Sequence, residues 1–90
     1  MQKRNKFQIY LDILLCLRRE LRSGHKVTPT RLAHQANVPY DRFQDYLHHL
    51  IELGLVVHEE ETVAVTRKGL EYIEELAKTM ELLKRMGLLL

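Results

Sequence analysis

Ninety residues make one domain, and an apolar fraction of 46% is enough for one modest core. The net charge of +2 hides an asymmetry: residues 1–49 carry nine Lys and Arg against four acids, residues 50–90 five against eight. A basic front half predicts a polyanionic partner, the single Cys16 excludes an internal disulfide framework, and no apolar run nears the roughly 20 residues of a membrane span.

Met1-Gln2-Lys3-Arg4 reads as a short disordered start. Asn5 then offers an N-cap, and Gln8, three residues on, completes a capping box. Ile9 or Tyr10, Ile13, Leu14, Leu17 and Leu21 recur at helical spacing until Ser23-Gly24 stops the helix. Asp12 and Arg18 interrupt the apolar run, which is not what a leader peptide is expected to show, and Cys16 inside it reads as a small core residue of a reducing cytoplasm. Arg18, Arg19 and Arg22 crowd the last turns, where cations favour the helix dipole.

Thr28 caps a second, short helix with Pro29 at its first position, and Leu32, Ala33 and Ala36 form its apolar face. Asn37 tolerates the left-handed conformation that ends it, and Pro39 forbids its continuation. A third helix over about Tyr40–Leu53 buries Phe43, Tyr46, Leu47, Leu50 and Ile51 and turns Asp41, Gln44, Asp45, His48 and Glu52 outward, with Gly54 closing it. Leu55–His58 and Thr62–Val65 read as two strands of a hairpin across Glu59-Glu60-Glu61. Without Asn-Gly or Asp-Gly, the loop is expected to exceed two residues. Thr66 caps a last helix to about Met86, with Gly87 as its stop.

The expected fold is therefore mainly α with a small β-hairpin. It is a winged helix-turn-helix domain over residues 1–66 and a C-terminal dimerisation helix over 67–90, in one continuous unit. Ile73, Leu76, Met80 and Leu83 alternate spacings of three and four, an a/d seam that predicts a homodimer. Leu70, Tyr72, Ala77, Leu82 and Met86 add a second apolar flank, and Leu88-Leu89-Leu90 extend it. Five histidines, His48, His49 and His58 among them, come without Cys-x-x-Cys or His-x-x-x-His, which predicts no metal site. With no nucleophile elbow, glycine-rich phosphate loop or convergent acid pair, neither an enzyme, nor a cofactor, nor a small-molecule substrate is expected.

One set of phrases carries a family resemblance. Asp12-Ile13-Leu14, Thr28-Pro29-Thr30-Arg31-Leu32-Ala33 and Ala36-Asn37-Val38-Pro39-Tyr40 open it. Tyr46-Leu47-x-x-Leu50-x-x-Leu53-Gly54-Leu55-Val56 and Thr66-Arg67-Lys68-Gly69-Leu70 complete it. Together these resemble the small archaeal winged-helix DNA-binding proteins of the 10a type, over nearly the whole chain. The resemblance implies a third helix in the major groove, a flanking wing, and last helices paired as an antiparallel coiled coil.

The DNA-binding candidates follow from chemistry. Arg42 can bond guanine and Gln44 adenine, with Tyr40 and His48 beside them on the third helix. Thr28, Thr30 and Arg31 at the start of the second helix suit phosphate, and Lys3, Arg4 and Lys6 suit a basic arm. The chain departs from the family pattern at Asp41 and Asp45 and at the acidic wing tip. The expected role is a cytoplasmic, homodimeric transcription regulator or nucleoid-associated protein that binds double-stranded DNA. The alternative is a winged-helix protein–protein interaction module within a larger assembly.

Overall fold

A computed structural model describes residues 4–88. The elements run α1 (Lys6–Arg22), α2 (Pro29–Gln35), α3 (Tyr40–Glu52), β1 (Val56–Glu59), β2 (Thr62–Val65) and α4 (Arg67–Arg85). Local chemistry explains their ends. The Asn5 side chain accepts from the Gln8 N–H while the Asn5 N–H donates to the Gln8 side chain, each at 2.9 Å. Thr28 Oγ1 accepts from the Arg31 N–H, which leaves Pro29 at the position where a missing N–H costs nothing. Asn37 turns the chain at φ 57° between α2 and α3, and Gly54 ends α3 at φ 78°, where a side chain would be strained.

The helices close over one core. Ile13, Leu14 and Leu17 of α1 meet Leu32 of α2, Phe43 and Leu50 of α3, Val56 and Val63 of the hairpin, and Ile73 of α4. Val38, buried in the helix-turn-helix loop, fixes the angle at which α3 leaves α2. β1 and β2 pair antiparallel from Val56 opposite Val65 to Glu59 opposite Thr62. The Val63 N–H also donates to the Val27 carbonyl at 2.8 Å, which ties the wing to the segment before α2.

The expected long wing loop is corrected. Only Glu60 and Glu61 separate the paired strands, and β1 begins one residue later than expected. Glu60 takes φ 54°, doing the work usually left to Gly or Asn, because burial of Val56 and Val63 already fixes the register.

The start of α4 is a closely bonded joint. Thr66 Oγ1 accepts from the Gly69 N–H at 2.9 Å and donates to the Gly54 carbonyl at 2.6 Å. Lys68 Nζ donates to the Leu53 carbonyl at 2.8 Å. A Cβ on Gly69 would stand 2.1 Å from the Leu55 oxygen, so no side chain fits there. This joint sets the direction in which α4 leaves the hairpin and lies along α1.

Candidate nucleic-acid interface

Helix α3 has three exposed rows, and the candidate residues divide among them. On the edge facing the wing, Tyr40, Gln44, His48 and Ile51 join Pro29 of α2 and His58 of β1 around a shallow groove of about 230 Å³. Tyr40 stacks on Phe43 with ring centroids 6.4 Å apart, which steadies it at the mouth of this groove. Gln44 is exposed there, and among the described residues its amide has no hydrogen-bond partner, which leaves it open to a base edge. The His48 ring Nε2 lies 3.0 Å from a Glu52 carboxylate oxygen, one turn further along, which accepts from it.

The opposite edge carries Arg42. It lines a separate hollow with Arg4, Ile9, Val38, Pro39 and Tyr46, on the side of α3 that faces α1. Arg42 and Gln44 therefore do not converge. Between the two edges runs an outer row of Asp41, Asp45 and Glu52, all exposed. Among the described residues Asp45 makes no ion pair with Arg42.

The basic arm is corrected. Lys3 lies outside the described residues. Arg4 is a brace: it meets Asp12 at 2.9 Å and donates to the carbonyls of Ala36 at 2.8 Å and Asn37 at 2.6 Å. Those carbonyls belong to the helix-turn-helix loop, so Arg4 holds the loop to α1. Lys6 is the first residue of α1, its ammonium 5.6 Å from the Tyr10 ring centre, and it faces α4. Sequence spacing gave no hint of the Arg4 brace, because its partners lie 8, 32 and 33 residues away.

At the start of α2, Thr30 is exposed on the first turn, while Thr28 already spends its hydroxyl oxygen as the cap. Arg31 is partly engaged. Its guanidinium lies 3.3 Å from Glu20, whose other partner is the His25 ring at 2.7 Å. The His25 hydrogen bond holds the Glu20 carboxyl below the usual glutamate range; burial works against it, and Arg31 reinforces it. Glu20 was the missed residue here. It stands three positions after Leu17 on the buried stripe of α1, and a carboxylate there needs a cation.

The histidines do not gather. His49 turns toward α1 and hydrogen-bonds the Tyr10 hydroxyl, while His48 and His58 face the groove. Among the described residues no three His, Cys, Asp or Glu side chains are placed to hold a metal ion. Cys16 is half-buried, and burial pushes its thiol pKa up, which suits an inert packing residue.

On α4 the structure separates the two apolar flanks. Ile73, 1% exposed, and Met80, 6% exposed, are buried within the chain, which corrects their assignment to a free seam. Leu76 and Leu83 are half-buried. The uncovered stripe is rotated: Tyr72, Leu76, Thr79, Leu83 and Met86 recur at four, three, four and three, with Tyr72 48% and Met86 60% exposed. Tyr72, Leu76 and Thr79 form one wall of an apolar groove of about 530 Å³, and Phe7, Leu14 and Leu53 complete it. Leu88 is exposed; Leu89 and Leu90 lie outside the described residues. No helix among the described residues is long and apolar enough to cross a membrane.

Two comparisons bear on this geometry. The model of a family described as winged helix-turn-helix matches residues 3–84. Among curated proteins none matches the chain.

Proposed function

The chain belongs to the winged helix-turn-helix family, and from that premise we propose that it binds double-stranded DNA as a homodimeric transcription regulator or nucleoid-associated protein. The single observation that carries this reading is the groove between α2, α3 and β1, where Tyr40, Gln44 and His48 stand on one open edge of α3. Spaced four apart, they present one side chain per helical turn to base edges. Arg31 and Thr30 at the start of α2 serve the backbone, and Arg42 reaches a phosphate on the far flank. The proposed role is binding alone. The finer likeness to the archaeal 10a-type proteins, and with it a place in the cytoplasm, belongs to this proposal.

The dimer uses the exposed stripe of α4. With Thr79 near a two-fold axis, antiparallel helices set Tyr72 of one copy against Met86 of the other, and Leu76 against Leu83. Changing Tyr72 and Met86 together to Lys leaves the core of each chain untouched and should give monomers by light scattering; an unchanged dimer mass would refute this stripe.

For DNA, Gln44→Ala should cost about 1–3 kcal/mol on a preferred site and less on random duplex. Equal losses on both, or none, would remove Gln44 from base reading. A second reading, a protein-binding winged helix, draws on the acidic row of Asp41, Asp45 and Glu52; it would show as no duplex binding at low salt.

A further inference from the structure

Two features of opposite charge stand outside both the α3 groove and the α4 stripe. On the outer side of α1, Arg18, Arg19 and Arg22 surround a hollow of about 440 Å³ with Leu15 and Ser23. Arg18 and Arg22 are one turn apart on the same face. Glu20, which pairs with α2, lies two residues from each and so on the other side of the helix. Among the described residues none of the three arginines forms an ion pair; Arg19 only donates to Cys16 Sγ at 3.7 Å. The second feature is the wing tip. Glu59 at the end of β1 and Glu60 and Glu61 in the turn are all exposed, and among the described residues none of them is ion-paired either.

We propose that the arginine hollow on α1 receives the acidic wing tip of a second copy of this chain. Three cations around a concavity match the three carboxylates of the wing tip in number and sign. The hollow and the tip lie near one another. Ser23 rims the hollow, and Lys26, three residues on, lies beside Glu59–Glu61. A duplex laid on the hollow would run past the acidic tip and be repelled. Two copies can instead exchange tips about a two-fold axis, each tip entering the other's hollow. Joined to the α4 pairing, this second contact links dimers into chains. It also gives the acidic wing a task that DNA contact denies it.

The test uses the full chain without DNA, so it succeeds or fails independently of the DNA reading. Sedimentation velocity at low salt should show species larger than the α4-paired dimer, dissolving as salt rises. Glu60→Lys with Glu61→Lys should weaken this association about tenfold, the sum expected of a few exposed ion pairs. Arg19→Glu with Arg22→Glu should do the same, and the four changes combined should restore it. Thermal melting confirms folding, and the neutral pair Arg19→Gln with Arg22→Gln replaces the reversal if the latter unfolds. Self-association indifferent to salt or to either pair, or no recovery in the combined variant, overturns the proposal. It is equally overturned if the arginine changes reduce only duplex affinity, which would assign the hollow to DNA.

Discussion

At the start of α4 the Thr66 hydroxyl, the Lys68 ammonium and the Gly69 N–H have internal partners; along the outer row of α3, among the described residues, Asp41 and Asp45 have none and Glu52 has only His48. Thr66, Lys68 and Gly69 are committed to the carbonyls and backbone of Leu53, Gly54 and Leu55. On α3, Asp41, Gln44 and Asp45 are exposed, and the ion pair of that surface is His48 with Glu52. The Thr-x-Lys-Gly phrase is therefore an architectural device that aims α4, and it says nothing about a ligand. The side chains of α3 that the fold leaves unused are the ones available to a partner. The same distinction sorts the cations: Arg4 is consumed by the helix-turn-helix loop and Arg31 half-consumed by Glu20, whereas Arg42 keeps its charge for the outside.

The sharpest way to break the comparison is at the joint. Gly69→Ala drives a methyl against the Leu55 carbonyl, and α4 must shift to admit it. The expected loss is about 3 kcal/mol in urea unfolding. A loss below about 1 kcal/mol would show that the joint is loose and that α4 is not aimed by it.

A smaller effect is expected where a cation is shared. Glu20 has a lowered pKa in the folded chain, so the unfolded chain binds the proton more tightly. Its stabilising contribution is complete above the usual glutamate pKa of about 4.3 and is lost as pH falls through the lowered folded value. Glu20→Gln should flatten that acid limb in melts taken from neutral pH downward and should destabilise the chain at neutral pH. An acid limb identical to the wild type would detach Glu20 from His25 and Arg31. Arg31→Ala carries the same structural cost, so its DNA effect is interpretable only beside Glu20→Gln.

The smallest effect belongs to the exposed row. Asp45→Asn removes one unpaired charge and nearly keeps the shape. It should tighten binding to random duplex about threefold at low salt, more than to a preferred site, and less as salt rises. Weaker binding to both would mean that Asp45 organises the surface it stands on.

Much of the fold is legible because its signals are local. The Asn5–Gln8 box, the Thr28-Pro29 start, Asn37 at positive φ and the Gly54 stop each depend on residues within one turn. What escapes is non-local. The two-residue wing follows from the burial of Val56 and Val63, which overrides the turn preference of Glu60. The choice between the two flanks of α4 is made by α1, and polar Thr79 masks the four-three-four-three stripe that remains outside. The candidate site is half legible for the same reason. Tyr40, Gln44 and His48 share an edge as helical spacing requires, and the same spacing sets Arg42, two residues from Gln44, on the other side, but the bracing role of Arg4 depends on where α1 lies.

The central claim is that the free surface of α2 and α3 meets DNA. Fluorescence anisotropy of the wild-type chain on a random duplex, titrated at about 50 mM and about 200 mM salt, tests it most directly. The account predicts binding at the lower salt that weakens steeply at the higher, with a slope set by the phosphates neutralised. No binding at low salt, or an affinity that ignores salt, would contradict it.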